Sequence, residues 1–310
     1  MKKLLFICNP NAGRGVVKVH YADIMHILCG SDYEVTVYET KAKLDGKRKV
    51  IEDGERYDRI VCFGGDGTLS EVTSGAAMLE KKPEIGFIPA GSTNDTAKNF
   101  GIPKDVKQAA QIAVSKKTVL TDLGKFNDTN FIYVAAFGDI SAVSAFTTQE
   151  MKRKLGHAAY VIEGMNIIPK MSYHTLKVEY DDQVIEGDFY LGMITNSYQV
   201  GGFTGIMGKS VDLADGLFEA ILFGKPSSIF DFAKQIDGAL IKKDDNSIVI
   251  DKNAGHSGKD HYVLFRFKAS KIRITSKDDV QWVVDGEDAG RHKVAEIENL
   301  QRYLEFAAAE

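Results

Sequence analysis

Gly64-Gly65-Asp66-Gly67-Thr68 sets one acid among three glycines. Ile60, Val61 and Phe63 lead into it, and a helical pattern begins at Leu69. That order describes a buried strand that ends in a tight turn and opens a helix. Glycine lets the backbone approach a ligand closely and adopt positive φ. A helix start offers unpaired N–H groups and the positive end of a dipole, which together suit phosphate. Phosphate would repel Asp66 unless a cation lay between them. Mg²⁺ suits that place, because it keeps waters and binds one or two carboxylates together with substrate phosphates. The plain alternative is an ordinary glycine-rich turn, and the surrounding chain decides between the two.

The elements that must carry this loop alternate between strand and helix. Residues 4–8 form an apolar run, followed by the turn signal Asn9-Pro10-Asn11-Ala12-Gly13-Arg14-Gly15 and a helical stretch to about residue 28. Val35, Val37 and Tyr38 make a second strand that ends at Thr40. Residues 46–55 are polar and compatible with a helix, 59–63 are the third strand, and the helix after the glycine loop runs to about 79. Residues 83–89 hold a fourth strand, ending in Ala90-Gly91-Ser92-Thr93-Asn94-Asp95, and helices follow over 96–99 and 105–114. Strands alternating with helices imply a parallel sheet with crossover connections. Ligands bind such sheets at the carboxyl ends of the strands. The asparagine-proline turn, Thr40, the glycine loop and the Gly91–Asp95 segment all fall there, so four loops can line one crevice.

Past about residue 118 the pattern changes. Short alternating runs rich in β-formers occupy 119–123, 131–136, 175–180, 183–195, 216–223, 247–250, 262–267, 271–275 and 280–284, with helical interruptions at about 140–150, 157–168 and 227–240. Asp181-Asp182 suits a hairpin turn, and Lys268-Ala269-Ser270 links two further strands. The expected fold class is an α/β N-terminal nucleotide-binding domain plus a C-terminal antiparallel β-sandwich domain, with the boundary near 119–123. A chain of 310 residues favours two domains in any case.

A net charge of −4 gives no electrostatic reason to expect nucleic acid as a partner. Cys8, Cys29 and Cys62 are odd in number and lack metal spacing, which points to a reducing, cytoplasmic compartment. The apolar run after Lys2-Lys3 is too short for a signal peptide, and no run approaches the roughly 18 residues of a transmembrane helix. One motif is a decoy. Gly202-Phe203-Thr204-Gly205-Ile206-Met207-Gly208-Lys209-Ser210 imitates a phosphate loop, but Gly202 leaves one residue too many before Gly208-Lys209.

Taken in order, the asparagine-proline turn at 9–15, the glycine loop at 64–68, Pro89-Ala90-Gly91-Ser92-Thr93-Asn94-Asp95, Leu155-Gly156-His157-Ala158-Ala159-Tyr160, Ala214-Asp215-Gly216-Leu217-Phe218 and Val284-Asp285-Gly286-Glu287 resemble the bacterial diacylglycerol kinase family of soluble lipid kinases. The resemblance spans nearly the whole chain. It implies an ATP-binding domain over 1–120 plus the C-terminal tail at about 299–310, and a lipid-substrate domain over 121–298. It also implies transfer of phosphate from ATP, with Mg²⁺, to a lipid hydroxyl. One departure stands out: Ser92-Thr93 replaces the Thr-Ala that the family often carries before Asn-Asp.

Residue roles follow from the same resemblance. Gly64, Gly65 and Gly67 lie against the ATP phosphates and Asp66 holds the catalytic Mg²⁺. Thr68 either donates to a phosphate or caps its helix. Asn9, Thr40 and Thr93 touch ATP, and Asn94 and Asp95 close the crevice, although Asp95 equally suits a helix cap. Glu287 matches the family's general base; alone, Asp285-Gly286 reads as a hairpin turn carrying an exposed acid. Asp212, Asp215 and the carbonyl of Leu217 match a second, structural metal position, against a reading as solvated acids in a turn. Asp122 joins the acidic network around Asp66.

The expected protein is a cytoplasmic lipid kinase that visits the inner face of the membrane, with diacylglycerol as the first acceptor and a homodimer as one assembly. An NAD kinase, a sphingoid-type kinase and a nucleotide-binding regulatory module without turnover are the rivals.

Overall fold

A computed structural model gives the fold and describes residues 1–91, 94–138, 172–201, 203–204, 211–226, 228, 235, 248–250 and 262–309. Thr93, the motif at 155–160, most of the decoy loop and the expected helices at 140–150 and 157–168 lie outside the described residues, as does nearly all of 227–240.

Strands β1 (Lys2–Cys8), β2 (Tyr33–Glu39), β3 (Arg59–Gly64) and β4 (Glu84–Pro89) pair in parallel in the order β2-β1-β3-β4. The apolar runs of β1, β3 and β4 are continuous because both faces are covered, and every side chain from Leu4 to Cys8 is fully buried; β2, at the sheet edge, alternates and buries no residue fully. Helices α1 (Val16–Cys29), α2 (Asp45–Asp53), α3 (Asp66–Ala76), α4 (Asp95–Asn99) and α5 (Val106–Ala113) fill the connections. The four parallel strands therefore deliver Asn9, Thr40, Gly65 and Gly91 to the same edge.

The rest of the chain is strand-rich: β5 (Thr118–Phe126), β6 (Thr129–Phe131), β7 (Val134–Gly138), β8 (His174–Tyr180), β9 (Gln183–Thr195), β10 (Gln199–Val200), β11 (Phe203–Thr204), β12 (Phe218–Gly224), β13 (Ile248–Ile250), β14 (Tyr262–Ala269), β15 (Lys271–Val284) and β16 (Glu287–Ala307). All of their pairings with one another are antiparallel. A second core, with Trp282 among Phe126 and Phe137, lies within these strands.

Strand β16 was not foreseen. It starts beside β15, pairs with β5 from Ile297 to Ala307, and meets β4 in parallel at Phe306 and Ile85. The parallel and antiparallel strands thus share one 14-stranded sheet. Phe306 stacks on Phe100 at 4.3 Å between centroids, and the Tyr303 hydroxyl donates to Ala77 O at 3.1 Å, which fixes the strand's end to the helical half.

A buried acid in the antiparallel half gives a stability test. Glu219 on β12 is 3% exposed and faces its register partner Lys268 on β14 at 2.8 Å. Burial pushes the Glu219 carboxyl up to about 7, and Lys268 offsets this only in part. The folded chain then keeps a proton that the unfolded chain releases near 4.5, so stability falls as pH rises from about 4.5 to about 7. Glu219→Gln should remove that slope. Urea unfolding at about pH 5 and about pH 8 should show wild type losing on the order of 2 kcal/mol relative to the variant; equal pH dependence in both chains contradicts the account.

Candidate active site

The crevice at the strand ends encloses about 480 Å³ and is lined by the four expected loops together with Lys43, Glu71 and Glu287. Its floor is backbone packed on backbone. Gly13, at φ 63°, comes so close to the next loop that a Cβ there would meet Ala90 O at 2.2 Å. Gly91 is equally confined, with Asn94 Oδ1 2.7 Å and Gly65 Cα 3.0 Å from where its Cβ would sit. Any side chain at either position would push the loops apart.

Asn9 ties two of these loops together. Its Oδ1 accepts the Asn11 N–H at 3.0 Å and its Nδ2 donates to Thr68 Oγ1 at 3.2 Å. Gly65 holds the N-cap position of α3 and no side chain caps that helix, so Thr68 does not act as the cap. Thr40 is buried and its N–H donates to Cys8 O at 2.9 Å, anchoring the loop after β2. Asn94 closes its own turn at φ 50°: its Oδ1 accepts the Gly91 N–H at 2.8 Å and its Nδ2 donates to Gly91 O at 2.7 Å.

Asp66 sits at the first turn of α3, with Oδ1 buried and lacking any hydrogen-bond partner. Burial pushes its carboxyl up; the Thr96 side chain and N–H oppose that, the charge of Asp95 adds to it, and the Asn94 N–H opposes it again. An orphaned carboxylate oxygen in a helix-start loop fits a hard cation such as Mg²⁺. Asp95 begins α4 but spends its carboxylate elsewhere: Oδ2 accepts the Tyr133 hydroxyl at 2.7 Å, Oδ1 accepts the Gln199 amide, and Lys98 lies 3.5 Å away. It is therefore a network residue rather than a cap.

Asp285 and Gly286 do form the hairpin turn between β15 and β16, at φ 50° and 85°. Both residues in the left-handed region match the favoured two-residue hairpin. Asp285 also fastens the turn. Its Oδ1 accepts the N–H of Tyr133 at 2.9 Å and of Val134 at 3.0 Å, and its Oδ2 accepts that of Ile132 at 3.0 Å. Held this way, the turn delivers Glu287 into the crevice, where it pairs with Lys43 and where a Cβ on Gly67 would lie 3.9 Å from its Oε1. Asp285→Ala should cost at least about 3 kcal/mol, since three buried N–H groups lose their acceptor at about 1–3 kcal/mol each. Chemical denaturation measures this, and a loss below about 1 kcal/mol contradicts the role.

Asp122 is fully buried, and both of its oxygens serve the backbone. Oδ2 accepts the Gly216 N–H and Oδ1 the Arg302 N–H, each at 2.7 Å. It joins β5, the Asp215-Gly216 turn and β16. Asp212 Oδ1 accepts the Ala214 N–H at 3.0 Å, and Asp215 Oδ1 accepts the Leu217 N–H at 2.9 Å. Among the described residues, no three metal-ligating side chains come together, so the Asp212, Asp215 and Leu217 set would rely on carbonyls and water.

Four residues of the site had no sequence signal. Lys43 faces Glu287. Glu71, one helical turn beyond the glycine loop, accepts the N–H of Leu44 at 2.8 Å and of Gly46 at 3.1 Å and so holds the loop after Thr40. Tyr133 and Gln199 meet Asp95 from distant parts of the chain.

Glycine-rich loops at strand ends with acids facing across them form the layout that phosphoryl transfer requires, where catalysis is mostly positioning and charge stabilisation. The comparisons agree with that class. A family model for the diacylglycerol kinase catalytic domain matches residues 3–126. A diacylglycerol kinase of Staphylococcus aureus is 32% identical over 314 residues, spanning 99% of this chain and 92% of the relative. One from Bacillus subtilis is 29% identical over 306 residues, spanning 98% and 95%. The crystal structure of a diacylglycerol kinase from Bacillus anthracis superposes with a TM-score of 0.75 at 25% identity, covering 99% of this chain and 97% of that one. The chain belongs to the diacylglycerol kinase family and is a lipid kinase. Among the described residues, no helix is long and apolar enough to cross a membrane.

Proposed function

We propose that the protein transfers the γ-phosphoryl group of ATP to the hydroxyl of diacylglycerol, giving phosphatidic acid. The observation that carries this reading is the convergence of Glu287 with the glycine loop across one crevice. ATP would lie along Asn9, Thr40, Gly64, Gly65, Gly67, Thr68, Thr93 and Asn94. Mg²⁺ held by Asp66 would neutralise phosphate charge, with Asp95 acting on Asp66 from α4; Asp122, expected in the same acidic network, instead spends both oxygens on the Gly216 and Arg302 N–H groups. Glu287 takes the proton of the lipid hydroxyl as its oxygen bonds to phosphorus and the bond to the leaving ADP oxygen breaks. Lys43, already beside Glu287, keeps a positive group at the crevice mouth.

The same reading assigns residues 1–120 and the tail at about 299–310 to an ATP-binding domain, and 121–298 to an antiparallel β-sandwich for the lipid. Asp212, Asp215 and the Leu217 carbonyl would form a structural cation site in the latter. The protein would work in the cytoplasm at the inner face of the membrane, with a homodimer as one assembly open to it. A panel of acceptors tests the substrate: diacylglycerol, phosphatidylglycerol and a sphingoid base in mixed micelles, and NAD in solution. The expected result is label from ATP on diacylglycerol above all others; label on NAD alone overturns the reading.

A further inference from the structure

Asp95 is 2% exposed and lies between Asn94 and Thr96, whose N–H groups face the Asp66 carboxylate, so its charge reaches that carboxylate and disfavours it. Two acids placed together hold a cation only if something fixes the orientation of each. For Asp95, what fixes it comes from the other half of the chain. The Tyr133 hydroxyl donates to Oδ2 at 2.7 Å, and the Gln199 amide donates to Oδ1. Gln199 is buried, and Tyr133 packs against the larger core. The Tyr133 oxygen does a second job, accepting the Gly201 N–H at 2.5 Å. Gly201 lies in the tight hairpin in which β10 pairs with β11. The far end of α4 meets the same segment, where Asn99 Oδ1 accepts the Tyr198 N–H at 3.2 Å. One short helix is thus clasped at both ends by the 197–201 segment, and the clasp closes on the Asp95 carboxylate.

We propose that Tyr133 and Gln199 are positioning residues for the metal-binding acids: they lock the Asp95 carboxylate against Asp66, and Tyr133 makes that lock depend on the hairpin at Gly201. This rests on the reading of Asp66 as the cation holder, but it does not require that the acceptor be a lipid. Partners that orient a metal-site carboxylate typically change affinity or activity by about 10–100-fold when removed. A contact that merely glued the two halves together would change melting temperature and leave cation binding alone.

The test uses the full chain with ADP and Mn²⁺, a spectroscopic substitute for Mg²⁺, and reads bound Mn²⁺ by electron paramagnetic resonance. Tyr133→Phe deletes one hydroxyl and keeps the ring; Gln199→Leu deletes both amide groups at similar size. Each should weaken Mn²⁺ binding in the ADP complex by about tenfold or more, with ADP affinity without metal close to wild type; the lost hydrogen bond to a buried carboxylate lowers the melting temperature under either role, so Mn²⁺ affinity is the deciding readout. If one variant fails to fold, the other decides. Mn²⁺ affinity within about twofold of wild type in a folded variant overturns the proposal, as does a wild-type chain that binds no Mn²⁺ with ADP. A wild-type chain that binds Mn²⁺ but phosphorylates no lipid would overturn the lipid reading and leave this one standing.

Discussion

Asp66→Asn should abolish phosphoryl transfer, by at least about a thousandfold, in a protein that is no less stable than wild type. The two halves of that expectation have one cause. Asp66 is buried, its Oδ1 has no hydrogen-bond partner, and its carboxyl is raised by burial and by Asp95. The folded chain therefore binds that proton more tightly than the unfolded chain does. Wild-type stability falls as pH rises through the window above the ordinary carboxylate range, and the charge is a cost at neutral pH. Asparagine removes the cost together with the charge proposed to hold the cation. Steady-state rates and chemical denaturation at about pH 5 and about pH 8 check both parts. A variant that loses stability in proportion to its activity would mean that Asp66 serves the fold.

Glu287→Gln separates chemistry from binding. A positioned general base contributes about a hundredfold to ten-thousandfold, so kcat should drop by at least about a hundredfold. Nucleotide affinity should stay within about threefold, because the loops around Gly13, Gly65 and Gly91, rather than Glu287, are proposed to cradle the phosphates. Stability should hardly move, since the side chains of Glu287 and Lys43 are 53% and 68% exposed and exposed ion pairs contribute little. Rates across ATP concentrations, with ADP affinity measured calorimetrically, give the split. Activity within about tenfold of wild type, roughly 1.4 kcal/mol of barrier, removes Glu287 from the base role.

The parallel half was legible because its physics is local. Continuous apolar runs mark strands buried on both faces, and the turn residues that end them sit at the loops where the crevice forms. β9 matched its expected span of residues 183–195, since it alternates before entering the core. Elsewhere local signals misled. Ser276-Lys277-Asp278-Asp279 looks like a break between two strands, yet β15 runs unbroken through it with an irregularity in register between Thr275 and Val280. β16 went unseen because Ile297, Leu300 and Leu304 recur at a spacing that suits a helical face; the open edges of β15, β5 and β4 decide its conformation instead. At the site, the loop residues carried their own pattern. Lys43, Tyr133 and Gln199 did not, because each acts through a partner far away in sequence: Glu287 for the first and Asp95 for the other two. The importance of Asp285 was hidden for the same reason, since its turn signal is local and its three N–H donors are not.

The most direct measurement gives wild-type protein radiolabelled ATP, Mg²⁺ and mixed micelles of diacylglycerol, and follows the label. It should appear in phosphatidic acid and stop doing so when the cation is chelated. Release of free phosphate with no labelled lipid, or label that ignores the chelator, would contradict a crevice in which Asp66 and Glu287 serve phosphoryl transfer to a lipid hydroxyl.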